Sequence, residues 1–164
     1  MQAHDFERNG YRLTDRSDAF DPTAAHRLLS VSYWSPGIPL ATVIKAAANA
    51  WTFCLLAPDG RFVGMARFIT DRATFAYLAD VIIDPAHRGR GLGKWLVDCL
   101  HSLPEIMACR RLMLMTADAQ PLYAKFGYRA LKSPERAMEV ARPDIYQQAV
   151  PTAEPAVDPM TPAD

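Results

Sequence analysis

Three glycines at alternate positions and three basic residues meet in one short stretch after a long apolar run. The stretch reads Arg88-Gly89-Arg90-Gly91-Leu92-Gly93-Lys94, and leucines then repeat at helical spacing from Leu92 to Leu103. Glycines let backbone N–H groups approach a phosphate closely, while the first turn of a helix and the basic side chains add positive charge. Three glycines at a helix start cost about 1 kcal/mol each relative to alanine, so binding is expected to offset them. The spacing predicts a phosphate cradle.

Two familiar phosphate loops do not fit this stretch. A Walker A loop needs Ser or Thr after Gly-Lys, but Trp95 follows Lys94. A dinucleotide-binding fingerprint counted from Gly89 needs glycine at position 94, which is again Lys94, and its strand should come first in the chain. A cradle for another phosphorylated cofactor remains, with a solvated glycine-rich turn as the alternative.

Composition excludes several classes of protein. The 164 residues suit one domain, and eighteen basic against eighteen acidic side chains argue against a nucleic-acid binder. Cys54, Cys99 and Cys109 are odd in number and lack Cys-x-x-Cys spacing, which disfavours a disulfide framework or a metal site and suits a reducing cytoplasm. No window approaches the ~20 apolar residues that span a membrane. We therefore expect a cytoplasmic protein without metal, nucleic-acid or membrane partners.

The end of the chain differs in composition from the rest. Residues 143–164 hold five of the thirteen prolines and four acidic residues, with no Lys or Arg. Such a segment buries too little apolar surface to offset its ordering entropy, so we expect a flexible tail after a folded domain of residues 1–142. That domain carries 18 basic and 14 acidic side chains, a net charge of +4, which suits a polyanionic cofactor.

Hydrophobic periodicity predicts a mixed α/β sheet. The predicted helices are residues 22 to about 33 with Asp21 as the cap, 40–48, one starting near Gly91, and 122–126. The predicted strands are residues 11–14, 51–57, 62–69, 74–83, 111–116, 128–131 and 137–140. Short turns between the earlier strands imply an antiparallel meander, and the later helix implies a crossover.

Two motifs resemble the signatures of the GCN5-related N-acetyltransferases, the GNAT superfamily. Val81-Ile82-Ile83-Asp84-Pro85-Ala86-His87-Arg88-Gly89-Arg90-Gly91-Leu92-Gly93 resembles the acetyl-CoA signature. Ala119-x-x-Leu122-Tyr123-x-x-x-Gly127-Tyr128 resembles the second signature. The resemblance covers about residues 8 to 141 and implies the GNAT fold, in which the two central strands splay apart.

The resemblance implies acetyl-CoA as the co-substrate. The backbone of Val81, Ile82 and Ile83 would then pair with the pantetheine arm, and the N–H groups from Arg88 to Lys94 would hold the pyrophosphate. Many family members carry Asn where this chain has Thr116, so the corresponding pantetheine contact is an open question. Asp118 is an extra carboxylate expected near the thiol, and it is also a candidate cap for the following helix.

Tyr123 is the implied general acid. Acetyl transfer requires a neutral amine, donors for the oxyanion, and a proton or hydrogen bond for the departing thiolate. A phenol with a pKa near 10 is protonated at neutral pH and can supply the last of these. The alternative is a core aromatic packed near Phe126.

Asp80 is the candidate base or amine contact. It interrupts the apolar run from Phe75 to Ile83, where a carboxylate is costly to bury unless it is paired or faces a cleft. A structural salt bridge or a strand-end hydrogen bond is the alternative.

The resemblance places the acceptor near the link between the first two helices, Ser32 to Pro39. Tyr33 and Trp34 there suit stacking or a cation–π contact with an amine, and a hydrophobic plug is the alternative. The chain is thus expected to acetylate a small-molecule amine. A protein N-terminus or lysine as acceptor, or a non-catalytic acyl-CoA sensor, are the other readings. A homodimer is among the arrangements that similar proteins adopt.

Overall fold

A single mixed sheet runs through the molecule. The computed structural model describes residues 3–147, and within them the strand order is β1-β2-β3-β4-β5-β6. The strands are β1 (Asp5–Arg8), β2 (Tyr11–Thr14), β3 (Trp51–Leu56), β4 (Phe62–Thr70), β5 (Phe75–Ile83) and β6 (Arg111–Met113). The helices are α1 (Pro22–Leu29), α2 (Leu40–Ala48), α3 (Leu92–His101), α4 (Pro104–Met107) and α5 (Gln120–Ala124). The predicted α/β class is confirmed.

Strand directions follow the predicted plan. Each of β1 to β5 is antiparallel to its neighbour, so the first five strands form a meander. β6 is parallel to β5, because α3 and α4 carry the chain back between them. The antiparallel meander and the later helix crossover are both confirmed.

Helices cover both faces of the sheet. α1 and α2 bury side chains such as Leu28 and Val43 against one face, where Met65 and Ile82 point. α3 packs on the other face, and its leucines join a larger cluster that includes Phe53 and Phe68. The strands between the helices are therefore apolar on both sides, which explains their continuous hydrophobic runs.

The first hairpin was not predicted. β1 pairs with β2 around Asn9 and Gly10, which have φ values of +51° and +79°. Asn-Gly with positive φ at both positions is the preferred two-residue hairpin turn. The dipeptide was therefore the signal that the sequence offered for β1.

The first helix is shorter than predicted. Asp21 caps it as expected, with its Oδ1 accepting from the Ala24 N–H at 2.9 Å. The prediction of a helix to about Tyr33 is wrong, because α1 ends at Leu29. The buried Ser32 and Ser35 hydroxyls both donate to the Leu29 carbonyl, at 2.7 and 3.1 Å, and turn the chain instead.

The later strands also differ from prediction. The strand predicted over 111–116 ends at Met113, because the chain diverges from β5 beyond that residue. The closing strands predicted over 128–131 and 137–140 are wrong: neither segment pairs with a strand within residues 3–147. Apart from the half-buried Tyr128, these residues are exposed, so their side chains gain little burial that would stabilise a strand alongside β6.

The predicted tail lies largely outside the described residues. Residues 143–147 form turns, and Tyr146 packs against the α1–α2 cluster. Residues 148–164 are not among those described, and the domain boundary at residue 142 stays a prediction. Within residues 3–147, no helix is both long enough and apolar enough to cross a membrane.

The register between β4 and β5 shifts by one residue. Gly64 lies opposite Ile83 and Met65 opposite Ile82, but Arg67 lies opposite Ala79. β5 therefore holds one extra residue, at Asp80–Val81, and forms a β-bulge. Gly64 allows the two strands to approach next to this bulge, since a Cβ there would lie 2.6 Å from the Ile82 carbonyl oxygen.

We expect Gly64→Ala to lower the free energy of unfolding by about 1–3 kcal/mol, because the added methyl group overlaps a backbone oxygen. Gly93→Ala is the matched control: a Cβ at Gly93 meets nothing within 4 Å, and alanine in a helix stabilises by up to about 1 kcal/mol. Urea denaturation of both variants measures the difference. Equal stabilities would contradict the close approach.

Candidate active site

The bulge in β5 determines where Asp80 points. Arg67 lies opposite Ala79, so in a regular strand the next residue would face the other side of the sheet. Asp80 instead adopts a φ of +52°, in the left-handed region that Asp tolerates better than most residues. This turns its carboxylate toward Arg67 and the α1–α2 link.

Both oxygens of Asp80 are engaged. Oδ2 accepts from Arg67 Nε at 2.5 Å, and Oδ1 accepts from Trp34 Nε1 at 3.2 Å. The side chains of Asp80 and Arg67 are only 13% and 17% exposed. The structure therefore contains the ion pair that the sequence left open as an alternative. The predicted part of Asp80 in acting on an amine stays a prediction.

Tyr33 and Trp34 connect β5 with the loop after β6, on the two sides of the opening between these strands. We call this pair the aromatic bridge. Trp34 is bonded to β5 through Asp80, whereas the Tyr33 hydroxyl accepts from the Ala117 N–H at 2.9 Å and lies 3.5 Å from Asp118 Oδ1. The two rings meet edge to face with centroids 4.9 Å apart. The bridge therefore spans from β5 to the loop that follows β6.

The opening itself lies between β5 and β6. These strands pair only from Phe75–Arg111 to Tyr77–Met113. Beyond Tyr77, the strand pairs of β5 within the described residues are with β4 alone. The backbone of Val81, Ile82 and Ile83 thus borders the opening, and the predicted splay of the central strands is observed.

Tyr123 lies in α5 and is buried. Burial, reinforced by the neighbouring Tyr33 and Asp118, raises the pKa of Tyr123 to about 12. Its ring packs on that of Tyr128, whose hydroxyl lies 3.2 Å from His101 Nε2. Within residues 3–147 the Tyr123 hydroxyl makes no hydrogen bond, so its proton is available to a ligand.

The loop before α5 differs from one expectation. Thr116 Oγ1 accepts from the Ala119 N–H at 3.0 Å, so Thr116 and not Asp118 caps the turn that leads into the helix. The expected capping by Asp118 is wrong, because its carboxylate lies near the Tyr33 hydroxyl instead. Thr116 and Asp118 nevertheless both border the opening through this loop.

The glycine stretch forms the other half of the site. Asp84 ends β5 and caps a 3-10 turn over Pro85–His87, accepting from the Ala86 N–H at 3.0 Å. This hydrogen bond and the ion pair with Arg27 lower the pKa of Asp84. Gly89 and Gly91 then adopt φ values of +75° and +72°, which L side chains rarely reach.

Six consecutive backbone N–H groups at this turn have no partner among residues 3–147. Those of Gly89, Arg90 and Gly91 precede α3, and those of Leu92, Gly93 and Lys94 belong to its first turn. Within the described residues, none of the six donates a hydrogen bond to the protein. The arrangement fits an anion, as the glycine spacing predicted.

The basic residues of the turn are held by nearby groups. Arg88 Nε donates to the Ile83 carbonyl at 3.0 Å, and Arg90 Nη1 donates to the Tyr11 hydroxyl at 3.2 Å. Tyr11 also lies 2.9 Å from His87 Nδ1. Lys94 Nζ pairs with Asp98, one turn further along α3, at 2.9 Å. All three basic side chains remain exposed enough to add charge for a bound anion.

Arg67 and Tyr77 were missed by sequence reasoning. Arg67 stands alone among apolar residues of β4, as Asp80 does in β5, so two opposite charges in neighbouring strands were the available signal. Burial and the charge of the nearby Asp80 raise the pKa of Tyr77, three residues before Asp80 in β5. In residues 3–147, no group of three or more His, Cys, Asp or Glu side chains could hold a metal ion.

Comparison with known proteins places this arrangement in a family. The model of the "Acetyltransferase (GNAT) family" matches residues 19–128, which include the glycine turn, Asp80 and Tyr123. The chain belongs to the GNAT acetyltransferase family. Its assignment from the two sequence motifs is thus confirmed.

Relatives carry acetyltransferase names. A glucosamine 6-phosphate N-acetyltransferase of Trypanosoma brucei brucei is 31% identical over 105 residues, which cover 57% of this chain and 71% of that protein. A Gibberella zeae protein named as an acetyltransferase is 45% identical over 64 residues, 38% of this chain. The match spans only 36% of the length of the Gibberella zeae protein.

Solved structures share the GNAT fold. A GNAT protein from Xanthomonas campestris pv. campestris superposes with a TM-score of 0.81 at 39% identity, covering 84% of this chain and 97% of that one. A Mycobacterium tuberculosis protein in complex with CoA superposes with a TM-score of 0.60 at 20% identity, covering 73% and 72% of the two chains. The expected GNAT fold is confirmed.

The raised pKa of Tyr123 is open to measurement. In an alkaline titration followed by phenolate absorbance, we expect Tyr123→Phe to remove a component near pH 12, because burial disfavours the phenolate. The chain has six tyrosines, so the difference between wild type and variant isolates this one. Loss of a component near pH 10 instead would contradict the burial of the hydroxyl.

Proposed function

We propose that the protein transfers the acetyl group of acetyl-CoA to a primary amine of a small molecule. The observation that carries the proposal is the run of six unbonded N–H groups from Gly89 to Lys94 next to the opening between β5 and β6. The name of the Trypanosoma relative, which acts on an amino sugar phosphate, supports a small amine as the acceptor. A protein amine is the alternative acceptor.

Acetyl-CoA would be held by backbone groups. Its pyrophosphate suits the N–H groups of the glycine turn, with counter-charge from Arg88, Arg90 and Lys94, and its pantetheine arm suits the edge of Val81–Ile83 that borders the opening. Bound there, acetyl-CoA supplies a thioester carbonyl that an amine can attack. Thr116 and Asp118 border the same opening and stay proposed neighbours of the pantetheine.

Tyr123 is proposed to serve the departing thiolate. Its raised pKa keeps the phenol protonated at neutral pH, and its hydroxyl has no competing partner within the described residues. The same burial makes Tyr123 a weaker acid than free tyrosine. We therefore assign its contribution chiefly to a hydrogen bond that strengthens as negative charge develops on sulfur. This gives physical support to the general-acid position expected from the second motif.

Asp80 is proposed to contact the acceptor amine. One oxygen is bonded to Arg67, which leaves the other as the group that faces the aromatic bridge. A carboxylate oriented in this way can accept an N–H of the amine and hold it toward the opening. The reacting amine must also lose a proton, and Asp80 is the candidate to receive it.

We also propose a cytoplasmic location, for which the cysteine pattern is suited, and a homodimer, which is one arrangement that the family resemblance allows. Sedimentation equilibrium distinguishes dimer from monomer, and fractionation of the source cells tests the compartment.

Acetyl-CoA should raise the melting temperature, because a ligand that binds only the folded state stabilises it. Gly93→Ala should lower the affinity for acetyl-CoA about tenfold, because an added methyl group on the first turn of α3 would hinder the close approach of a phosphate to the backbone there. Differential scanning fluorimetry at several ligand concentrations gives both values. An unchanged melting temperature of the wild type at high acetyl-CoA concentration would contradict acetyl-CoA as the co-substrate.

Tyr123→Phe should lower kcat by about 10²-fold or more while acetyl-CoA still raises the melting temperature, since only the hydroxyl is lost. Tyr128→Phe is the matched control, because its hydroxyl is directed to His101 and not to the opening. Turnover is followed as free thiol released from acetyl-CoA with a library of amines. Unchanged turnover in Tyr123→Phe would exclude Tyr123 from the reaction.

A further inference from the structure

We propose that the acceptor amine displaces the Trp34 indole N–H from Oδ1 of Asp80. Arg67 is then the positioning residue that keeps the Asp80 carboxylate oriented for this exchange. This inference rests on the proposed function, because it concerns the acceptor side of the same site. It goes further by naming which atom the amine replaces and which residue prepares it.

Arg67 commits one half of the Asp80 carboxylate. The contact of its Nε with Oδ2 is 2.5 Å, and both side chains are largely buried. A charge-assisted hydrogen bond of this kind is strong and directional. It fixes the carboxylate rotation at the bulge, so that Oδ1 faces the α1–α2 link.

Oδ1 of Asp80 accepts from the indole, which is a weaker hydrogen-bond donor than a charged amine. Trp34 Nε1 donates to it at 3.2 Å, and an indole offers one neutral N–H. An alkylammonium offers three donors and a positive charge, so its bond to the same oxygen is shorter and stronger. Exchange of the indole for an amine is therefore favourable at this oxygen.

The indole can leave without moving the backbone. Trp34 is 42% exposed, so its ring already borders solvent, and rotation gives up its edge-to-face contact with Tyr33. The link beneath it is held by the buried Ser32 and Ser35 hydroxyls, which lie within hydrogen-bond distance of the Leu29 carbonyl, at 2.7 and 3.1 Å. Tyr33 stays anchored to the Ala117 N–H. The exchange is thus a side-chain rotation in a fixed frame.

The inference differs from simple stacking of an amine on Trp34. In stacking, the cation lies over the ring face and needs no N–H donor. In the proposed exchange, the acceptor must donate a hydrogen bond to Asp80, and the indole N–H must lose its own. The two cases are separated by a cation that has no N–H.

The indole resonances in a ¹H–¹⁵N spectrum give the direct test. The chain has three tryptophans, and the Trp51 indole is a built-in reference, because it donates to Asp15 at 2.9 Å away from this site. Trp34→Phe assigns the peak. We expect n-butylammonium to shift the Trp34 peak and to leave Trp51 in place, and tetramethylammonium to shift neither. In Asp80→Asn the shift should vanish.

Arg67 is tested in the same titration. Arg67→Met should weaken n-butylammonium binding about tenfold, because Asp80 then rotates freely, whereas Arg67→Lys should restore most of the affinity by supplying a charged donor. A purely structural part for Arg67 would change the melting temperature of both variants without this rescue. Equal affinities in Arg67→Met and wild type would overturn its positioning part. If Arg67→Met does not fold, Arg67→Lys against wild type decides, and a loss of tenfold or more there would overturn it.

A Trp34 peak that stays in place at saturating n-butylammonium would overturn the exchange. So would an equal shift caused by tetramethylammonium. Thiol release from acetyl-CoA with the amine library is measured in parallel. Acetylation of amines without movement of the Trp34 peak refutes only this inference, whereas movement of the peak without any acetylation refutes the proposed function.

Discussion

The extra residue in β5 is the constraint on which the site depends. A strand of period two would send Asp80 to the face opposite Arg67, where the sheet packs against α3. The bulge, together with the left-handed φ of Asp80, sends the carboxylate to the α1–α2 side instead. β-bulges also bend and twist a strand locally, and β5 separates from β6 within a few residues of this point. One extra residue in β5 thus sets the direction of the Asp80 side chain, and it lies close to the point where the sheet opens.

The ion pair at the bulge is better understood as a device for orientation than for stability. Removing two charges from water offsets much of their mutual attraction, so a buried pair adds little net stability over apolar residues of similar size. Breaking such a pair, however, leaves an uncompensated charge and is strongly destabilising. Arg67 and Asp80 therefore constrain each other more than they stabilise the fold. In the proposed function, this fixed direction would present the Asp80 carboxylate to the acceptor amine.

Local patterns predicted most of the fold, and contacts between distant segments explain the failures. The helix over 40–48 and the strands around 51–83 follow directly from their apolar periods, and the glycine turn follows from its spacing. β1 was not predicted because the strand is mostly exposed and lacks an apolar pattern. Its signal is the turn dipeptide Asn9-Gly10. The closing strands failed because an alternating pattern needs a hydrogen-bonded neighbour, and sequence alone does not supply one. The aromatic bridge joins Trp34 to Asp80 and Tyr33 to Ala117, across 46 and 84 residues, so no local rule could pair them.

The Tyr11 hydroxyl connects β2 to the glycine turn through His87 and Arg90. A flexible loop must lose backbone entropy when it closes around a phosphate, at about 1–2 kcal/mol for each residue that becomes fixed. Here His87, which precedes the six N–H groups, and Arg90, which carries one of them, are already tied to the sheet before any ligand arrives. In the proposed function, a strand near the beginning of the chain would thus lower the entropy cost of binding at a turn that lies about eighty residues further on. The N-terminal hairpin therefore supports the glycine turn, and the Tyr11 hydroxyl couples the two segments.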